Sequence, residues 1–192
     1  MGWLGEARKL WFEMIEKGYR PDKFTYNTMI HGFCKIGNFE RAKILYKEMC
    51  GGGHKETRVG YNAMMTGLCL HGRTDEAYRL FEEMPQKGIV PDLMTYNTVI
   101  QGFCREGKIV ESTNLLRELL TQGLQPSACS YTPLIKGLCQ VGAVQEAKTL
   151  WNDTKNGGLE PSVSTHDEII IGLCDQGDAA DGFKWLIEML KE

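Results

Sequence analysis

Five cysteines recur at one interval. Cys34, Cys69, Cys104, Cys139 and Cys174 stand 35 residues apart, each inside Gly-x-Cys-x-x-Gly. Thiols at a regular spacing could ligate a metal, pair as disulfides, or pack as small apolar side chains. Zinc needs clustered ligands such as C-x2-C, and His31 with Cys34 at i, i+3 has no second pair beside it. Stacked helical units place equivalent positions about 8–10 Å apart or more, beyond the roughly 7 Å Cα limit of a disulfide. Each of these cysteines follows an apolar residue, and buried free cysteine behaves as a small hydrophobe. Packing is therefore the expected role, with free thiols and no metal.

Other polar clusters carry less. Thr165–Ile169, "THDEI", sets His, Asp and Glu side by side, but sequence neighbours on a helix point to different sides, so a polar helix start is expected. Gly51–Thr57, "GGGHKET", resembles an anion loop, yet falls where each unit has its turn. No Walker loop and no G-x-S-x-G are present. The residues show no catalytic constellation and no cofactor motif.

Periods of 20–50 residues signal stacked repeats. Aligned on the cysteines, the chain gives full units at 23–57, 58–92, 93–127 and 128–162, an incomplete one at 163–192, and the back part of another at 1–22. Within a unit, position 4 reads Tyr26, Tyr61, Tyr96, Tyr131 and His166, position 15 is always glycine, and position 31 reads Gly53, Gly88, Gly123 and Gly158. Position 34 holds Pro91, Pro126 and Pro161, with Glu56 as the exception. Tyr26, Met29, Ile30 and Phe33, and later Ala77, Leu80, Phe81 and Met84, mark one face each of two successive helices. Thr25, Thr95, Ser130 and Thr165 sit where a hydroxyl can cap the first helix. The position-15 and position-31 glycines end the two helices in left-handed conformation, and proline at position 34 blocks continuation. Small residues at positions 10 and 20 let helices approach closely. A hairpin of this kind buries its apolar face only against neighbours.

Net charge is −3 over 192 residues with 42% apolar composition, which supports a folded core. Residues 163–192 carry seven acidic and two basic side chains, net −5, leaving +2 on residues 1–162. A protein relying on phosphate neutralisation alone would be more basic. No stretch approaches the roughly 20 apolar residues of a membrane span, so no membrane contact is expected. The opening residues "MGWLGEARKL" are neither a signal core nor an Arg/Ser-rich transit peptide. Met1 falls at position 14, so the chain begins inside a unit, as a piece of a longer repeat protein would. Leu10, Trp11 and Met14 are then expected to expose apolar surface, and the acidic final unit to act as a cap.

"TYNTMIHGFCKIGNFERAKILYKEM" and "TYNTVIQGFCREGKIVESTNLLREL", with "GIVPD" and "GLQPS" endings, resemble pentatricopeptide repeats of the plain 35-residue type. Tetratricopeptide repeats, which bind proteins, have a 34-residue period and another pattern. The resemblance covers essentially the whole chain. It implies an all-α, right-handed superhelical solenoid of antiparallel helical hairpins that binds single-stranded RNA, about one base per repeat, in a mitochondrion or plastid, the mitochondrion favoured. The zinc deaminase domain attached to some members, with H-x-E and C-x-x-C, has no counterpart here.

By the same resemblance, position 5 contacts the base edge, position 35 tunes it and position 2 packs between bases. The pairs are Asn27 with Thr57, Asn62 with Asp92, Asn97 with Ser127 and Thr132 with Ser162, followed by Asp167 alone. The base-packing positions are Phe24, Val59, Met94, Cys129 and Ser164. Lys35 and Arg105, both at position 13, could reach phosphates. Asn62 with Asp92 implies uracil, Asn97 with Ser127 cytosine, Asn27 a pyrimidine and Thr132 a purine, giving 5′-pyrimidine-U-C-purine-3′. Asp167, ionised, only accepts hydrogen bonds and repels phosphate. Asparagine early in a helix also has a local reading, as a cap or turn former. A protein-interaction solenoid without RNA selectivity is the competing function, with protein partners and oligomeric state open.

Overall fold

The computed structural model describes residues 2–159 and 163–190. Among them the chain forms eleven α-helices and no strand: α1 Gly2–Glu16, α2 Lys23–Lys35, α3 Phe39–Gly51, α4 Arg58–Leu70, α5 Thr74–Gln86, α6 Leu93–Arg105, α7 Ile109–Thr121, α8 Ala128–Gln140, α9 Val144–Asn156, α10 Val163–Asp175 and α11 Ala179–Met189. The first helices of successive hairpins, from α2 onward, begin 35 residues apart. Two compact units divide the chain, Met1–Val99 and Ile100–Glu192.

Glycine sets where the helices stop. Gly37, Gly72, Gly107, Gly142 and Gly177 all lie at φ between 67° and 82° just past a first helix, a conformation that costs other residues the clash of their Cβ. In the first unit α2 packs against both α3 and α4, and α4 against α5; in the second α8 packs against α9 and α10, and α10 against α11. The core runs between these layers. Ile30, Met49, Met65 and Met84 are fully buried in the first unit, and Leu134, Ile135, Ile169 and Leu173 in the second.

The cysteine spacing has a contact to explain it. A Cβ placed on Gly67 of α4 would stand 2.4 Å from Cys34 Cβ and 2.9 Å from the Cys34 carbonyl oxygen of α2. On Gly172 of α10 it would stand 3.0 Å from Cys139 Cβ of α8. In these two repeats the glycine at position 10 thus receives the cysteine at position 12 of the repeat before, while at Gly137 the closest neighbour is Ile109 Cδ1 at 2.5 Å. All seven cysteines are free thiols, and the described residues contain no cluster of three metal-ligating side chains. His31 is exposed while Cys34 is buried, so the two point apart.

Two expectations need correction. Trp11 is buried, not exposed: its ring meets Tyr26 edge-on at 5.1 Å, because the tyrosine at position 4 covers it. Leu10 does remain 64% exposed and Met14 is half-buried. The second correction concerns helix caps. Thr25, Thr95 and Ser130 are the third residues inside their helices, and the caps are Asp22, Asp92 and Ser127, three residues earlier. The Asp22 and Asp92 carboxylates accept from the Thr25 and Thr95 backbone N–H groups at 2.8 and 2.9 Å. Ser127 and Ser130 form a reciprocal capping box.

Candidate nucleic-acid interface

Position 35 is therefore a helix N-cap, and it brings a polar side chain to the opening turns of α2, α4, α6 and α8. Position 5 lies five residues further in, and in the first unit Asp22 and Asn27 both line one cleft. This placement settles the local reading of the asparagines: Asn27 and Asn62 are not caps, since Asp22 and Thr57 fill that role for their helices. Thr57 Oγ1 accepts from the Gly60 backbone N–H at 3.2 Å.

In the first unit these positions line one open cleft of about 1090 Å³. Asn27 and Asn62 lie along it with Asp92, and Phe24, Val59 and Met94 edge it. These three apolar side chains are 79%, 61% and 67% exposed. Water-facing Phe, Val and Met at a regular spacing beside amide groups make a surface on which flat apolar faces can stack.

Asn62 is tied to the next repeat. Its Oδ1 accepts from the Thr95 hydroxyl at 3.0 Å, and its side chain lies beside the Asp92 carboxylate and favours its ionised form. The Thr95 hydroxyl stands 2.8 Å from Asp92 Oδ1. Arg58 Nε lies 3.1 Å from Asp92 Oδ2. Partial burial pushes the Asp92 pKa up, but the Thr95 hydrogen bonds, the Arg58 charge and Asn62 outweigh it and hold the carboxyl below its ordinary value. Asp92 is thus ionised at neutral pH and only accepts hydrogen bonds.

In the second unit a smaller cleft is lined by Thr132, Arg105, Lys136 and Gln140. Thr132 Oγ1 is 3.1 Å from Thr165 Oγ1, and Lys136 pairs with Glu168. Cys129, Ser164 and Asp167 are exposed on their helices, and Asn97 and Ser127 are half-buried; none of the five lines either cleft. Lys35 and Arg105 are exposed in the last turns of α2 and α6. Ser162 and Pro161 lie outside the described residues. In "THDEI", His166 is buried and Asp167 exposed, so these neighbours do face apart.

Sequence reasoning missed Arg58, Thr95, His31 and His54. All but Thr95 line the first cleft, and Thr95 is buried behind it. Arg58 precedes Asp92 by nearly one full period, which a search for opposite charges across neighbouring repeats would have found. Thr95 was visible as a helix-start hydroxyl, but its side-chain partner in the previous repeat was not.

Family comparison decides what this arrangement is. A model described as the PPR repeat family matches residues 56–105, 91–140 and 126–175, and PPR repeat models match 17–50 and 1–19. The chain belongs to the pentatricopeptide repeat family. Two pentatricopeptide repeat-containing proteins of Arabidopsis thaliana are 54% identical over 39 residues and 38% identical over 42. Those segments are 20% and 22% of this chain and only 8% and 9% of the relatives. Among solved structures, the pentatricopeptide repeat protein PPR10 from maize superposes with TM-score 0.80 at 25% identity, over 94% of this chain and 26% of that one. Its complex with an 18-nt psaJ RNA element gives 0.82 at 24% identity, over 93% and 26%. The pentatricopeptide repeat domain of Arabidopsis thaliana protein-only RNase P 1, solved with tRNA, gives 0.70 at 18% identity, over 84% of this chain and 85% of that domain. The chain spans about a quarter of the maize protein and less of the two Arabidopsis relatives.

Proposed function

We propose that the chain binds single-stranded RNA and selects bases one per repeat, in the order pyrimidine, U, C, purine from 5′ to 3′. The observation that carries this reading is the first cleft, where Asn27 and Asn62 occupy the same position of successive helices between exposed Phe24, Val59 and Met94. Amide groups at a repeat spacing can each address one base edge, while the apolar side chains stack on base faces. Maize PPR10 and the RNase P 1 domain, each solved with an RNA, support RNA as the ligand class. Base readers are Asn27 with Thr57, Asn62 with Asp92, Asn97 with Ser127, Thr132 with Ser162, and Asp167, which repels phosphate. Phe24, Val59, Met94, Cys129 and Ser164 pack on bases, and Lys35 and Arg105 hold phosphates.

The action is occupancy. A bound segment is shielded from nucleases, kept from pairing or presented to another factor, in the service of organellar RNA processing, stability or translation. Stacking gives about 1–3 kcal/mol per base, so a few repeats alone make a weak binder. Fluorescence anisotropy of the 192-residue chain with a short RNA containing UUCA tests the reading against the same RNA with the second U changed to G. Discrimination of about fivefold or more is expected, and Asn62→Ala should abolish it. Equal binding of both RNAs would leave only phosphate attraction. No binding, with a protein partner captured instead, would favour the protein-interaction solenoid.

A further inference from the structure

The hydroxyl at position 3 of one repeat touches the base-reading side chain of the repeat before. Thr95 on α6 meets Asn62 on α4 at 3.0 Å, and Thr165 on α10 meets Thr132 on α8 at 3.1 Å. Both hydroxyl-bearing residues are buried, Thr95 at 0% and Thr165 at 1% exposure. The first repeat lacks this contact. Its neighbour's position 3 is Gly60, and Asn27 Oδ1 is left buried with no hydrogen-bond partner. The cap residue gives no help there: Thr57 Oγ1 accepts from the Gly60 backbone N–H and makes no bond to Asn27 Oδ1. A Cβ on Gly60 would lie 3.4 Å from Asn27 Oδ1 but 2.7 Å from Tyr46 Cε2, so the Tyr46 ring occupies the space a hydroxyl-bearing side chain would need.

We infer that Thr95 is a positioning residue for base selection: its hydroxyl, itself anchored on the Asp92 cap, holds the Asn62 amide oxygen in place. The donor inventory explains why two partners are needed. A hydroxyl both donates and accepts, so Thr95 fixes where the Asn62 amide sits but not which way round. The negative charge of Asp92 beside it favours the orientation that turns the amide N–H groups, not the oxygen, toward the carboxylate. Rotating the amide half a turn would set Asn62 Oδ1 against an ionised carboxylate, acceptor against acceptor. Held in this way, Asn62 keeps its amide N–H groups and one oxygen lone pair for the strand. Asn27 has neither partner and reads with less discrimination. This inference rests on the base-reading proposal and goes beyond it by assigning selectivity to a residue that does not touch the base.

The test uses the full chain and the same two RNAs. Thr95→Val keeps the shape and removes the hydroxyl; Thr95→Ser keeps the hydroxyl. Thr25→Val is the control. Thr25 makes the same bonds to its cap, Asp22, at 2.6 and 2.8 Å, and serves no reading side chain. Circular dichroism melting checks that each variant is folded. Thr95→Val is expected to cut U-over-G discrimination by about fivefold. Thr95→Ser should retain it, and Thr25→Val should leave it unchanged. If Asn62→Ala loses discrimination while Thr95→Val keeps it, the positioning role is wrong and base reading stands. If Thr25→Val lowers discrimination as much as Thr95→Val, the effect is general capping and the inference falls. A wild-type chain that does not discriminate overturns both.

Discussion

A thiol's reactivity follows its surroundings. Cys34, Cys104 and Cys139 are buried against neighbouring helices, and loss of solvent pushes each pKa up to about 11. Cys69 is buried as well. At neutral pH these side chains stay protonated and inaccessible, and only the thiolate attacks a disulfide reagent. Cys129 and Cys174 are exposed, and Cys50 is partly so. An aromatic disulfide reagent at pH 8 should therefore titrate Cys129 and Cys174 fast, Cys50 more slowly, and the remaining four only in denaturant. Peptide mapping after a short alkylation pulse identifies which thiols reacted. Fast labelling of Cys34 or Cys139 would contradict the packing role that their spacing suggested.

Helix contact depends on glycine at position 10. At Gly67 the neighbouring helix comes within 2.4 Å of where a Cβ would be, and the nearest atoms include the Cys34 backbone carbonyl as well as its Cβ. A backbone neighbour cannot rotate away, so Gly67→Ala forces α2 and α4 apart. Overpacking of this kind costs about 1–3 kcal/mol, offset only in part by the better helix propensity of alanine, about 1 kcal/mol. Chemical denaturation should show a lower midpoint. Alanine at Gly5, whose Cβ meets nothing within 4 Å, should not lower it. The hairpins themselves were legible from period and glycine placement, because left-handed termination leaves a strong mark on residue choice. The caps were misplaced by three residues. In Asp92 and Thr95, or Ser127 and Ser130, both members of the cap pair are polar and bond each other, so composition alone does not say which residue stands outside the helix. Hydrogen bonds between repeats, such as Thr95 with Asn62 and Thr132 with Thr165, were not legible. They depend on the stacking register to within an ångström, and no local pattern encodes it.

Charge belongs to the chain as a whole. With 22 basic and 25 acidic residues, the chain has no excess positive charge for a strand of phosphates. Of the cations lining the clefts, Arg58 faces Asp92 and Lys136 faces Glu168, while Lys23 and Arg105 are exposed. Lys35 and Arg105 are exposed at the ends of their helices, and binding through them releases counterions from about two phosphates. Single-strand binding then loses affinity with log salt at a slope of about −1.4, taking −0.7 per phosphate contact. Affinity measured from low to moderate salt checks this directly. Replacing Lys35 and Arg105 by Gln should flatten the dependence while U-over-G discrimination stays intact, because phosphate contacts carry no sequence information. A slope near −4 would place phosphate attraction above base contact as the source of affinity. The groove would then be a general single-strand surface, and the constrained amide of Asn62 would have to be explained by helix packing alone.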